Sequence, residues 1–185
     1  LDMRPAIINV MDKAARRAGR DLSRDFGEVE QLQVSRKGAA DFVTAADRRA
    51  EETIRYELMR ARPEFGFLGE EGGTQAEGDG VHRWIVDPLD GTTNFLHGLP
   101  QFAVSIALEE RGQIVAGIVY NPLTDELFWA ERGTGAYLND TRLRVSARQH
   151  MSESLIATGM PFLGHGDHER YLETLKAVIG EVAGI

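Results

Sequence analysis

Phe102-Ala103-Val104-Ser105-Ile106-Ala107-Leu108 alternates large apolar residues with small ones, and this stretch decides the fold. Period two puts Phe102, Val104, Ile106 and Leu108 on one face of a strand and Ala103, Ser105 and Ala107 on the other. The second set is small rather than charged. The spacing therefore predicts a strand buried on both faces, one of them beneath a close-packed helix. Arg111-Gly112 marks a turn, residues 114–120 a second strand, Asn121-Pro122 another turn and residues 126–130 a third strand. Strands joined by such short turns form an antiparallel meander.

Upstream of the meander, Ile7, Val10, Met11, Ala14, Ala18 and Leu22 recur at helical spacing, which predicts a helix over residues 5–26 with its basic residues outward. Residues 41–44 then lead into a second helix over 45–62, marked by Ala50, Ile54 and Leu58 and ended by Pro63. Residues 65–68 and 83–86 read as short strands, separated by a loop of glycine and glutamate over 69–80. Downstream, residues 154–158 read as one more strand and 167–179 as a final helix. Helices, a mainly antiparallel sheet and a closing helix argue for a layered α+β architecture.

A chain of 185 residues, 42% hydrophobic and 27% charged, has the size and composition of one domain with a real core. It contains no cysteine, which excludes disulfides, thiolate metal sites and a cysteine nucleophile. Every apolar run is shorter than the roughly 18 residues a membrane span needs, so the expectation is a cytoplasmic protein. The net charge is −8, and residues 41–90 hold 12 acidic against 6 basic side chains. A surface of that sign repels nucleic acid and anionic membrane, so a phosphate handled there needs cations between it and the protein. A solvated acidic face is the competing reading.

Three motifs carry candidate chemistry. In Trp84-Ile85-Val86-Asp87-Pro88-Leu89-Asp90-Gly91-Thr92-Thr93-Asn94-Phe95 an apolar strand runs into two carboxylates three positions apart across a proline turn. Such carboxylates can converge on a small hard cation, and Gly91 followed by two threonines at a helix start can cradle an anion. Taken alone, the same turn also reads as a structural Asx turn or helix cap. Gly69-Glu70-Glu71-Gly72-Gly73 places acidic residues at the end of a short strand, for close approach to a metal or as a solvated loop. In Asp41-Phe42-Val43-Thr44-Ala45-Ala46-Asp47, Thr44 and Asp47 have the spacing of a capping box at the start of the second helix. The five histidines, His82, His97, His150, His165 and His168, form no His-Glu-x-x-His pattern.

In chain order, Asp41 to Asp47, then Gly69-Glu70-Glu71, then Trp84 to Phe95, the three motifs resemble the inositol monophosphatase family of Mg²⁺-dependent, lithium-sensitive phosphatases. The resemblance continues through Phe95-Leu96-His97-Gly98-Leu99-Pro100-Gln101-Phe102 and Gly117-Ile118-Val119-Tyr120-Asn121-Pro122. It implies a layered α/β sandwich of the sugar-phosphatase type, shared by inositol monophosphatase and fructose-1,6-bisphosphatase, assembled as a homodimer. It further implies two or three Mg²⁺ ions and a small-molecule phosphate monoester as substrate, while the acidic charge argues against nucleic acid or membrane as a partner. On the matching positions, Glu70, Asp87 and the Leu89 carbonyl would bind the first metal, and Asp87 and Asp90 the second. Substrate contacts would fall to Glu70, Leu89, Asp90, Gly91 and Thr92. Glu70 and Thr92 would hold the attacking water, and Asp47 would hydrogen-bond to the threonine hydroxyl.

The family's second half supplies a Trp-Asp-x-Ala-Ala-Gly motif whose aspartate completes the second metal site. Here Trp84 is followed by Ile85 and Trp129 by Ala130, so the motif is absent. The expectation is that residues 1–185 form a single N-terminal αβ portion carrying most of the metal site, with the C-terminal part missing. Asp90-Gly91-Thr92 is also similar to the Asp-x-Asp-Gly-Thr motif of haloacid-dehalogenase-type phosphatases, but the nucleophile position there falls on Pro88. A non-catalytic protein that keeps the fold and a cation or phosphate site is the alternative of another class. Bisphosphate nucleotide, fructose bisphosphate and histidinol phosphate are the competing substrates.

Overall fold

The computed structural model describes residues 4–32, 36–161 and 164–185. It divides into two compact units, Leu1–Leu143 and Arg144–Ile185. In the first, α1 (Ala6–Leu32) buries Ile8, Met11, Ala15, Ala18, Leu22 and Val29 at spacings of three, four and seven residues. It runs beyond residue 26 because the apolar stripe continues through Phe26 to Val29. The second helix, α2 (Arg36–Ala61), corrects a larger error. Residues 41–47 lie inside it, and the Thr44 hydroxyl donates back to the Ala40 carbonyl at 3.0 Å instead of capping a helix start. Val43, Ala46, Ala50, Ile54 and Leu58 form one buried stripe, so packing extends the helix upstream of the supposed cap. It ends at Ala61, two residues before Pro63, as expected.

Among the described residues there are eight strands: β1 (Gly66–Gly69), β2 (Gly73–Ala76), β3 (His82–Asp90), β4 (Ala103–Glu110), β5 (Gln113–Asn121), β6 (Glu126–Glu131), β7 (Gly135–Leu138) and β8 (Thr141–Arg142). They form one sheet in the order β2-β1-β3-β4-β5-β6-β7-β8. Only β1 and β3 are parallel; every other neighbour is antiparallel. The meander is as read from period two, whereas the loop expected over 69–80 contains β2, folded back on β1. Trp84, Val86, Val104, Ile106, Leu108, Ala116, Ile118 and Leu127 are buried in the core they share with α1 and α2.

On the opposite face β4 shows half-buried Ser105 and Ala107 rather than a second buried row, and Val119 and Phe128 there are 42% and 39% exposed. The expectation of burial on both faces thus holds for one face only. Small side chains at Ser105 and Ala107 follow the strand's period whether or not that face is covered, so composition alone does not settle it.

In the second unit, α4 (His168–Ile179) starts one residue later than expected because Asp167 caps it, its carboxylate accepting from Arg170 N at 3.0 Å. The strand expected over 154–158 reduces to a single parallel bridge between Leu155 and Gly184. No helix among the described residues is long and apolar enough to cross a membrane.

Candidate metal and phosphate site

At the end of β3 the register with β4 pairs Asp87 with Ser105 and Asp90 with Ala103, so β3 carries one extra residue. Pro88 sits in this bulge, where its lack of an N–H costs no ladder bond. The bulge folds the strand over Asp87, whose Oδ1 accepts from Leu89 N at 3.1 Å. Gly91 follows with φ 94°, and a Cβ there would lie 2.8 Å from the Gln101 carbonyl, so the turn into the short helix α3 (Thr92–Leu96) requires glycine. Phe95 anchors α3, packed edge-on against Phe26 and Phe102 at 5.5 and 4.8 Å between ring centroids.

Parallel pairing of β1 with β3 brings Gly69 beside Val86, and Glu70 N donates to the Val86 carbonyl at 3.1 Å. Glu70 and Asp87 therefore emerge at the same end of adjacent strands. Their carboxyl groups lie close enough for Glu70 to act on the Asp87 carboxyl. Burial, hydrogen bonding with the adjacent Glu70 carboxyl and the charges of Glu70 and Asp90 push Asp87 up to about 7 against a downward pull from Leu89 N–H. From α2, Asp47 reaches the same place, 4% exposed. Burial, then the charges of Glu71, Glu70, Asp87 and Glu51, push it up to about 7 as well.

The cluster is an electrostatically unfavourable arrangement for a protein on its own. Asp47 Oδ1 is buried and accepts no hydrogen bond among the described residues. An orphaned carboxylate oxygen facing further carboxylates fits a cation with oxygen ligands, the donor set that Mg²⁺ prefers. Among the described residues no three acidic or histidine side chains yet enclose a point where a metal would sit.

The sequence pattern of the inositol monophosphatase family matches residues 4–180. The chain belongs to the inositol monophosphatase family. An inositol-1-monophosphatase of Rhizobium meliloti is 63% identical over 98% of the chain and 68% of that protein. A protein named Nus factor SuhB in Pseudomonas aeruginosa is 42% identical over 97% of the chain and 68% of that protein. The crystal structure of extragenic suppressor protein suhB from Bartonella henselae superposes with a TM-score of 0.84 at 55% identity, covering 98% of the chain and 68% of that structure. The fold is the layered α/β arrangement of this family.

Of the residues that the family pattern singles out, the structure brings Asp47, Glu70 and Asp87 together, with Asp90 exposed at their edge. The expected bond between the Thr92 hydroxyl and Asp47 is not formed. A hydroxyl has one proton to give, and Thr92 gives it to the Leu89 carbonyl at 2.9 Å. Sequence reading missed Glu51, whose carboxylate accepts from the Glu71 and Gly72 amides. Its signal was there: Glu51 follows Asp47 by four positions, one turn along the same helical face. Among the histidines, His82 stacks on Phe65 at 4.4 Å and bonds Asp79 at 2.7 Å, a structural use.

Proposed function

We propose that this family member hydrolyses the phosphate monoester of inositol or of a related sugar or polyol, and that it needs Mg²⁺ to do so. The carrying observation is the carboxylate cluster of Asp47, Glu70 and Asp87, two of whose members are pushed up to about 7 by burial and mutual repulsion. Glu70, Asp87 and the Leu89 carbonyl would hold one Mg²⁺, and Asp87 with Asp90 another. Bound there, the ions supply neutralisation of the phosphoryl oxygens, a more acidic water and a stabilised leaving alkoxide.

The remaining work belongs to the chain. Gly91, lacking a side chain, and the adjoining Thr92 amide offer the phosphate a close approach to backbone, and exposed Asp90 faces the polyol hydroxyls. Glu70 and the Thr92 hydroxyl orient a water for direct attack on phosphorus. The new P–O bond forms as the ester P–O bond breaks, and the proton that the attacking water loses ends on the leaving alkoxide, giving inorganic phosphate and the free alcohol. Were Leu89 O to hold a cation, the Thr92 hydroxyl it now accepts from would be free to donate a hydrogen bond to Asp47 Oδ1, a buried oxygen without a partner among the described residues. The homodimer, the cytoplasmic location and lithium sensitivity are parts of the same proposal.

A phosphate-release panel tests it, run on the full chain with and without Mg²⁺. Its substrates are inositol monophosphate, a bisphosphate nucleotide, fructose bisphosphate and histidinol phosphate. Release from inositol monophosphate above the others, and only with Mg²⁺, is expected. Trapping of a phosphate on Asp87 or Asp90 would overturn direct water attack. Cation binding without release from any substrate would favour the non-catalytic alternative.

A further inference from the structure

Glu51 is 4% exposed, and both of its carboxylate oxygens are committed to the backbone that carries Glu70. Oε2 accepts from Glu71 N at 2.9 Å and Oε1 from Gly72 N at 3.1 Å. Glu70 N donates to the Val86 carbonyl on the other side at 3.1 Å. Three consecutive amides are thus fixed, the first by β3 and the next two by one side chain from α2. Gly69 completes the fit, because a Cβ at that position would overlap the Glu51 carboxylate.

This clamp is a costly choice for a turn between two short strands. A buried carboxylate is expensive unless charge-assisted bonds compensate it, and this one stands among other carboxylates and adds to the repulsion felt by Asp47. A turn that only needed closing would not require that charge. What the clamp achieves that a neutral contact would not is a rigid two-point grip on the backbone next to Glu70.

We infer that Glu51 is a positioning residue: it fixes the Glu70-Glu71-Gly72 turn so that Glu70 stays directed at Asp87, and thereby sets the cation affinity of the site. The inference rests on the cation-site reading proposed above. Glu51 touches neither substrate nor reacting atoms in this role; it acts through Glu70.

Calorimetric titration of Mg²⁺ into the metal-free full chain tests it, comparing wild type with Glu51→Gln, Gly69→Ala and the exposed neighbour Glu52→Gln. Glu51→Gln keeps the size but sets an NH₂ group against one of the two amide donors. Gly69→Ala displaces the carboxylate without altering its charge. Both should weaken Mg²⁺ binding by about tenfold or more, the scale on which partners that orient a metal ligand act. Glu52→Gln should leave it unchanged. The Mg²⁺ requirement for phosphate release should rise in step while kcat at saturating Mg²⁺ stays close to wild type.

In wild type in chelator, the Glu71 and Gly72 amides should exchange slowly with deuterium. Unaltered Mg²⁺ affinity in both variants, or rapid exchange at those two amides, overturns the role of Glu51. A wild-type chain that binds no Mg²⁺ overturns the cation site itself, which separates the two failures. Where a variant does not fold, the wild-type exchange rates decide.

Discussion

Asp87 and Asp47 hold protons in the folded, metal-free chain that they would not hold unfolded. Each ordinarily titrates at 3.8 and is pushed up to about 7 here. Between about pH 4 and about pH 7 the native state therefore binds more protons than the unfolded chain, and the stability these groups contribute is complete below that window and lost as pH rises through it. Asp87→Asn has no such proton to lose. In chelator its melting temperature should gain on wild type between about pH 5 and about pH 7.5, and saturating Mg²⁺ should shrink the gap by stabilising only the wild type. Parallel pH profiles would show that Asp87 is not a protonated member of the cluster. At this scale the sequence made Glu70, Asp87 and Asp90 legible because two short motifs place them at strand ends. Glu51 was legible only in its place one turn after Asp47; its function lies in two backbone amides 20 and 21 positions away, which no local pattern marks.

The helices show how packing overrides local signals. Gly19 and Gly27 both lie inside α1, where alanine ordinarily gains about 1 kcal/mol over glycine. At Gly27 a Cβ meets nothing within 4 Å, whereas at Gly19 it would come within 2.8 Å of the Tyr120 ring and 2.9 Å of Pro122. Overpacking of that kind costs about 1–3 kcal/mol, enough to cancel or reverse the gain. Urea unfolding should therefore find Gly27→Ala more stable than wild type and Gly19→Ala no more stable or less. Equal gains at both sites would mean that α1 does not press on β5 there. The same principle explains the α2 boundary. Thr44 and Asp47 have capping spacing, yet Val43 and Ala46 are buried, and their packing keeps residues 41–47 helical. The meander was legible because its period-two pattern is long and its turns carry Gly, Asn and Pro. The hairpin partner β2 was not, since its four residues Gly73, Thr74, Gln75 and Ala76 carry no strand periodicity.

For the whole molecule, the −8 charge takes on a location. Asp47, Glu51, Glu70, Glu71, Asp87 and Asp90 gather at the end of β3, and they are half of the 12 acidic residues between positions 41 and 90. The charge excess read from the sequence thus belongs in large part to one site rather than to a solvated face. The division into two units has a consequence of its own. Residues 144–150 are exposed throughout, with Val145 at 96%. Exposed connecting backbone is where proteases cut first, so brief trypsin treatment should cleave after Arg144 or Arg148 before any site within α1, α2 or the sheet. Mass spectrometry showing an earlier cut inside α1 or α2 would contradict the compactness of the first unit.

The carboxylate cluster as a working cation site is the claim on which the rest depends, and Mg²⁺ add-back to the metal-free full chain tests it most directly. Wild type should release no phosphate from inositol monophosphate in chelator and recover release as Mg²⁺ is restored. Asp87→Asn, folded by its melting profile, should lose more than the roughly 10- to 100-fold that removal of a merely supporting partner costs. Release that persists in chelator, or an Asp87→Asn chain as active as wild type, would contradict it.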